Sequence, residues 1–382
     1  MKVLHVVTLV TPDGAFGGPT RVAVNLCSTL RDRGHDATIA AGVKGFDEPP
    51  SALGGVPAQL FPARRVLPGF GHAPTYAPAL GRWIDEHAAK FDIVHIHLAR
   101  DLITLPVAAR LHRMGIPYVL QTHGMIAPRS HPLARLIDRL WTIKLLRSAA
   151  TLFHLNSTEH EDLRNVGGTG LRLRELRNGV PTPTVSTGTG TSGTVPEVLF
   201  LARLHERKRP EVFAEAALSL LRSGVKARFA VVGPPAGAEV GVDAIIAQAR
   251  SEGFGENSIR REPAVEPDRT GARMSCASVY VLPSVREPFP MTVLEAMMLG
   301  IPVIVRPDNG LADFVEAHRC GAVVDDGPEA FAHAIFDMLA DPSGARAMGR
   351  RARSAAESAF GIARVGEELE QTYREVVYGD SE

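Results

Sequence analysis

Glu287 and Glu295 stand eight positions apart in Glu287-Pro-Phe-Pro-Met-Thr-Val-Leu-Glu295. Between them a proline-rich loop turns into a helix, Gly300-Ile-Pro302 ends it, and Val303-Ile-Val305 follows as a short buried strand. A helix starting near Pro290 places Glu295 roughly one turn in, at about 1.5 Å of rise per residue. Glu287 then lies in the loop before it. The helix N-terminus between them offers free N–H groups and a partial positive charge. An anion site flanked by two hydroxyl-binding carboxylates suits a phosphate with a sugar on each side. Two carboxylates at this spacing mean little alone; the Pro-Phe-Pro entry, Leu-Glu-Ala-Met and Gly-x-Pro supply the context.

Other groups add to this pair. In Phe200-Leu-Ala-Arg203-Leu-His-Glu-Arg207-Lys208-Arg209-Pro210 a strand delivers Arg203 to a loop, and Lys208 lies at the start of a helix. Arg207 and Arg209 read as the solvated members of this basic run. His123, in Gln121-Thr-His123-Gly124, follows a buried-type strand, and the carboxyl ends of strands face the ligand crevice in open α/β sheets. His95 and His97 alternate in a strand and point the same way. They resemble a metal pair, but the sequence offers no third ligand, so they read as structural or crevice-lining. Gly17-Gly18 follows the first strand and opens a helix whose N–H groups aim at the loop.

The elements that must position these groups alternate along the chain, short apolar runs with longer amphipathic ones, as in a doubly wound α/β fold. Strands are expected at Val3–Val7, Ala37–Ala41, Ile93–His97, Tyr118–Thr122 and Leu152–Leu155, with helices at Thr20–Arg33, Tyr76–His87, Leu102–Met114 and Leu133–Ala149. Residues 181–196 are rich in Gly, Ser and Thr and lack apolar periodicity, so they read as a linker. The pattern restarts at Glu197–Leu201 and continues with Glu211–Leu221, Arg228–Val232, Val279–Leu282 and Val303–Val305; Glu367–Val377 is a final helix.

With 382 residues the chain has room for two domains of ordinary size. Forty-two basic residues balance 42 acidic ones, so no global electrostatic case for nucleic acid exists. Cys27, Cys276 and Cys320 lack metal-type spacing and fit a reducing compartment. Met1–Val10 is short and interrupted by His5 and Thr8, so it reads as a buried strand and not a signal peptide. No run approaches the ~18 apolar residues of a membrane span. A cytoplasmic protein is expected, with peripheral contact to the inner face of a membrane as an option. The glycine loop is not Gly-x-Gly-x-x-Gly, which weakens a hydride-transfer reading.

Together these motifs resemble the retaining, nucleotide-sugar-dependent glycosyltransferases of family 4, from Gly17 to Pro302. The resemblance implies a GT-B fold, two Rossmann-like doubly wound domains facing across a cleft. Residues 1–180 would bind the acceptor, 181–196 link, and 197–359 bind the donor; a helix at about 360–382 would pack back on the first domain. By the resemblance, Glu287 contacts donor sugar hydroxyls and Glu295 holds the ribose. Arg203 and Lys208 sit on the leaving diphosphate, where fixed cations stabilise charge on the departing oxygen. Gly17 or Gly18 gives that diphosphate a backbone N–H, and His123 lies near donor sugar and acceptor. Gly233 occupies the family's strand-to-turn glycine, Val265 the place where backbone meets the nucleotide base, and Asn178-Gly-Val180 the turn that closes the first domain. The resemblance also implies that Phe289, Met291 and Thr292, at the helix mouth, contact the donor. Pro288 and Pro290 depart from the family's frequent glycines and cannot donate an N–H.

The implied reaction moves a hexosyl-type group from a nucleoside diphosphate sugar to a hydroxyl acceptor with retention. No Asp-x-Asp motif is evident; Arg203, Lys208, the glycine loop and the helix dipole would replace a divalent cation, and no cofactor is expected beyond the co-substrate. The acceptor would be a lipid-linked saccharide, an aglycone or a small polyol. A sugar-nucleotide 2-epimerase of similar architecture and a non-catalytic nucleotide-sugar-binding subunit are the alternatives. A pyridoxal phosphate phosphorylase is disfavoured, because no Lys follows Lys226. Finally, residues 129–147 are basic and amphipathic. Leu133, Leu136, Ile137, Leu140 and Ile143 share helical spacing beside Trp141, and Arg129, Arg135, Arg139, Lys144 and Arg147 would face an anionic lipid or an acceptor's phosphate.

Overall fold

The computed structural model describes residues 1–12, 17–65, 75–129, 131–183, 195–266 and 269–379. The chain divides into two compact units, Met1–Pro181 with Ile362–Glu382, and Thr182–Gly361. Residues 13–16 of the glycine loop and 184–194 of the expected linker lie outside the described set.

The first unit carries β1 (Lys2–Val10), β2 (Asp36–Val43), β3 (Ala52–Leu53), β4 (Val56–Pro62), β5 (Arg64–Arg65), β6 (Thr75–Tyr76), β7 (Ile93–His97), β8 (Tyr118–Gln121), β9 (Thr151–His154) and β10 (Leu173–Glu175). Its main sheet runs β10-β9-β8-β7-β1-β2-β4-β3, parallel except for the β3–β4 hairpin. A parallel sheet is covered on both faces, so its strands read as near-continuous apolar runs. Val3, Leu4, Val6 and Val7 of β1 are all fully buried. The chain moves outward from β1 through β2 and β4, then returns to β7 on the other side of β1. The switch point therefore lies between β1 and β7, where His5 pairs in register with His95.

The last helix, Ile362–Tyr378, belongs to this unit. Val365, Leu369 and Tyr373 recur at helical spacing and are buried. Gly366 lets the helix lie close to Gly17–Asp32, since a Cβ there would come within 2.7 Å of Thr29 Cγ2.

The second unit holds β11 (Glu197–Leu201), β12 (Arg228–Val232), β13 (Ile259–Glu262), β14 (Val279–Leu282), β15 (Val303–Val305) and β16 (Gly321–Val323). All pair in parallel, in the order β13-β12-β11-β14-β15-β16, with the switch point between β11 and β14. The helix Met291–Met298 is buried from Val293 onward. It stops at Gly300, whose φ of +73° suits glycine, and Pro302 leads into β15.

Candidate functional site

In the second unit the chemistry-bearing groups gather at the carboxyl ends of the strands beside the switch point, where open α/β sheets bind ligands. Past β11 the chain is anchored by buried Leu204, while Arg203 is exposed. His205 Nδ1 accepts from the Arg207 N–H at 3.1 Å and starts a 3-10 turn, Glu206–Lys208. Arg209 then adopts a φ of +52° and the helix Pro210–Arg222 begins. Lys208 closes that turn and does not itself enter the helix. Its ammonium donates to Glu287 Oε2, and both side chains are mostly buried.

Glu287 is held from β15. The Gly310 N–H donates to the Glu287 carbonyl at 2.8 Å, and the Arg286 N–H donates to Asp308 Oδ2 at 2.9 Å. Gly310 has no room for a side chain, because a Cβ would stand 1.8 Å from the Pro288 carbonyl oxygen. Buried Asn309 accepts from the Leu311 N–H at 3.0 Å. Glu295 is buried on the helix Met291–Met298. Tyr280 of β14 ties this helix to β11: its hydroxyl lies 2.7 Å from Thr292 Oγ1 and 2.9 Å from the Leu201 carbonyl oxygen. Burial pushes the Tyr280 phenol up, and the charges of Glu295 and Glu287 push it further. One phenol thus senses both carboxylates.

Gly233, at the end of β12, has a φ of +152°, and a Cβ would stand 2.0 Å from the Ala202 carbonyl oxygen. It packs directly behind the residue that precedes Arg203. Met291 and Thr292 are partly buried in the first helical turn, and Val265 is partly buried in the loop after β13. Phe289 is 9% exposed and meets Phe360 edge to face at 5.7 Å, so its contact is with the core.

In the first unit Gly17 and Gly18 open the helix Gly17–Asp32. Around Gly18 no described atom lies within 4 Å of where a Cβ would stand. His123 follows β8 with a φ of +50°, a conformation that costs a non-glycine residue energy. Buried Glu159 supports it by accepting from the Thr122 hydroxyl, the Gly124 N–H and the Leu155 N–H. Arg100 holds the following loop, donating to the carbonyls of Met125 and Ala127 and pairing with Asp138 at 2.8 Å. The third imidazole that the sequence did not offer is His5. His5, His95 and His97 are all fully buried, with ring nitrogens within 4.8 Å of one another.

Two known families match. A family described as glycosyl transferase 4-like domain covers residues 17–179, and one described as glycosyl transferases group 1 covers residues 185–355. The chain belongs to the family 4 type of nucleotide-sugar glycosyltransferases. A D-inositol 3-phosphate glycosyltransferase of Paenarthrobacter aurescens is 33% identical over 186 residues, which are 48% of this chain and 44% of that protein. This match therefore spans less than half of the relative's own length. One of the same description from Kineococcus radiotolerans is 25% identical over 98% of this chain and 94% of its own. The crystal structure of Anabaena Alr3699/HepE in complex with UDP and glucose superimposes with a TM-score of 0.77 at 18% identity, over 97% of this chain and 99% of that one. This likeness shows the fold, two Rossmann-like units of the GT-B class.

Within this family 4 chain, three expectations are refined. Arg209 is half-buried and pairs with the exposed Asp326. Arg207 is exposed but donates to the Arg286 carbonyl at 2.7 Å, bracing the Glu287 loop. The expected helix Leu133–Ala149 is broken into Pro132–Ile137, a π-helical segment Asp138–Thr142, and Ile143–Ser148. Leu136, Leu140 and Trp141 are exposed while Leu145 and Leu146 are buried. Leu133's side chain lies outside the described set. Arg129, Arg135, Arg139, Lys144 and Arg147 are all exposed. Sequence reasoning missed Tyr280, Glu159, Arg100 and the Asn309-Gly310 turn. Only the last had a usable signal, Asp-Asn-Gly directly after an apolar strand.

Proposed function

We propose that this chain transfers a hexosyl group from a nucleoside diphosphate sugar to a hydroxyl acceptor, with retention and without a divalent metal. The observation that carries the reading is the joined placement of Lys208, Glu287, Glu295 and Tyr280 at the switch point of the second unit. The helix Met291–Met298 turns its N-terminus, which carries no side-chain cap, into the same loop region. Glu295 takes the ribose hydroxyls and Glu287 the sugar hydroxyls. Arg203 and Lys208 meet the charge that builds on the leaving diphosphate. Because Lys208 is also the partner of Glu287, one cation both orients the sugar-binding carboxylate and serves the leaving group. No protein nucleophile is assigned; the leaving phosphate oxygen takes the acceptor proton.

The names of the relatives direct the first acceptor screen to inositol phosphates, a phosphorylated form of the small-polyol class. The uridine donor is the first to try, given the UDP complex of the similar fold. The test is a transfer assay with uridine, guanosine and thymidine diphosphate sugars, in EDTA, with the product's anomeric configuration read by NMR. An inverted product, or full loss of activity in EDTA, overturns the reading. An epimerised donor formed without acceptor identifies the 2-epimerase instead. Membrane contact is a second part of the proposal, favoured by exposed Leu136, Leu140 and Trp141 set among exposed Arg135, Arg139 and Lys144.

A further inference from the structure

Five ring side chains of the first unit form one unbranched hydrogen-bonded line. His123 Nε2 lies 2.7 Å from His97 Nδ1. His97 Nε2 lies 3.0 Å from His5 Nδ1, His5 Nε2 lies 3.1 Å from the Tyr373 hydroxyl, and that hydroxyl lies 2.7 Å from His95 Nδ1. The line crosses the β1–β7 switch point and ends at the carboxyl end of β8. His5, His95, His97 and Tyr373 are completely buried, and His123 is partly so.

A neutral imidazole has one N–H and one lone pair, and a phenol has one hydrogen to give. Each contact in the line needs one hydrogen between its two atoms. Fixing the direction at one end therefore fixes every tautomer. Burial holds His5, His95 and His97 well below the usual histidine range, so the rings are neutral.

The far end sets the direction. Gln121 donates its amide N–H to Asn178 Oδ1 at 3.2 Å, which turns its carbonyl oxygen the other way. Gln121 Oε1 and His95 Nε2 are both buried without a hydrogen-bond partner, and the Gln121 side chain stands beside the His95 ring. An N–H on His95 Nε2 turns partial positive charge toward that carbonyl, whereas a lone pair there would add to its negative charge.

We propose that Gln121, His95, Tyr373, His5 and His97 are positioning residues that lock His123 as the Nε2–H tautomer, leaving His123 Nδ1 as a bare acceptor for a substrate hydroxyl. The Tyr373 O–H donates to His95 Nδ1, His5 Nε2–H to the phenol oxygen, His97 Nε2–H to His5 Nδ1, and His123 Nε2–H to His97 Nδ1. The line stops at an amide with no exit for a proton, so it orients His123 and does not carry protons away. The placement of a substrate hydroxyl on Nδ1 rests on the glycosyl-transfer reading above; the tautomer itself does not.

The test is a long-range proton–nitrogen NMR spectrum of the full chain with nitrogen-15 histidine, each signal assigned by its loss in a His→Gln variant. All four line histidines should show protonated Nε2 and bare Nδ1, without titrating between pH 8 and pH 5. Tyr373→Phe should leave His123 a mixture of tautomers and lower kcat about tenfold with donor KM little changed, a loss of orientation and not of binding. Gln121→Leu should scramble the line, and Gln121→Glu, which keeps an acceptor, should restore it. A protonated Nδ1 on His123, or an unchanged spectrum in both Tyr373→Phe and Gln121→Leu, overturns the proposal. So does one zinc ion bound per chain on adding Zn²⁺ and lost in His5→Gln, since the metal would take the lone pairs the line uses. Because the spectrum is read without substrate, failure of the transfer assay and failure of the tautomer lock are separate results.

Discussion

At the scale of single residues, the two roles proposed for Lys208 should both show in its variants. Arg203→Ala and Lys208→Ala are each expected to cut the transfer rate about a hundredfold, since each removes a cation from developing charge. Arg203 is exposed, so its loss should leave the melting temperature nearly unchanged. Lys208→Ala strands Glu287 without its partner and should also weaken use of the sugar donor, as Glu287→Ala does. Wild-type turnover in both variants would remove the diphosphate assignment. The carboxylates should separate by calorimetry. Glu295→Ala loses affinity for the free nucleoside diphosphate, whereas Glu287→Ala keeps it and fails with the intact donor. Equal losses in the two would contradict the split.

At the scale of elements, close backbone approach decides where the site residues stand. Gly310→Ala places a Cβ against the Pro288 carbonyl and should displace the loop that carries Glu287. The expected cost is roughly 2–4 kcal/mol by denaturant titration, with a loss of donor use larger than the loss of fold. The C-terminal helix gives a prediction with a pH sign. Hydrogen bonds from Arg374 and then Arg33 hold the Glu370 carboxyl down at about 2. A depressed carboxylate stabilises the native state above its unfolded value, about 4.3, and that contribution disappears as pH falls toward 2. Both arginines are partly solvated, so the contribution is on the order of 1–2 kcal/mol. Thermal melts from pH 6 to pH 2 should show a shallower decline for Glu370→Gln than for the wild type. Identical slopes would mean that this clamp contributes nothing.

At the scale of the whole molecule, the exposed patch on residues 135–147 is the feature that neither unit's core explains. No helix among the described residues is long and apolar enough to cross a membrane. Leu136, Leu140 and Trp141 are exposed beside Arg135, Arg139 and Lys144, which suits shallow insertion with charge around it. Each basic residue near an anionic surface contributes about 1 kcal/mol, weakened by salt. Co-sedimentation with anionic liposomes is expected at low salt, is expected to fade at high salt, and should vanish in Arg135→Glu/Arg139→Glu/Lys144→Glu. A protein that stays in the supernatant throughout would leave a soluble acceptor as the better reading.

The sequence by itself determined the alternation of elements, because buried parallel strands must be apolar runs and their covering helices must be amphipathic. It thereby placed Arg203 and His123 just past strand ends, and Glu287 and Glu295 on either side of a helix start. Those placements depend on local pattern and on residue type. What the tertiary structure decided is who meets whom. His5 and His95 are 90 positions apart, yet they pair across the switch point because β7 returns beside β1. Tyr373 reaches them because the last helix packs on the first unit, and Lys208 reaches Glu287 because β14 lies beside β11. Strand order is set by long-range packing and leaves no mark on the spacing of these residues. The π-helical segment Asp138–Thr142 likewise shows only in three dimensions, and so does the exposure of Leu136 and Leu140, which apolar spacing alone does not decide.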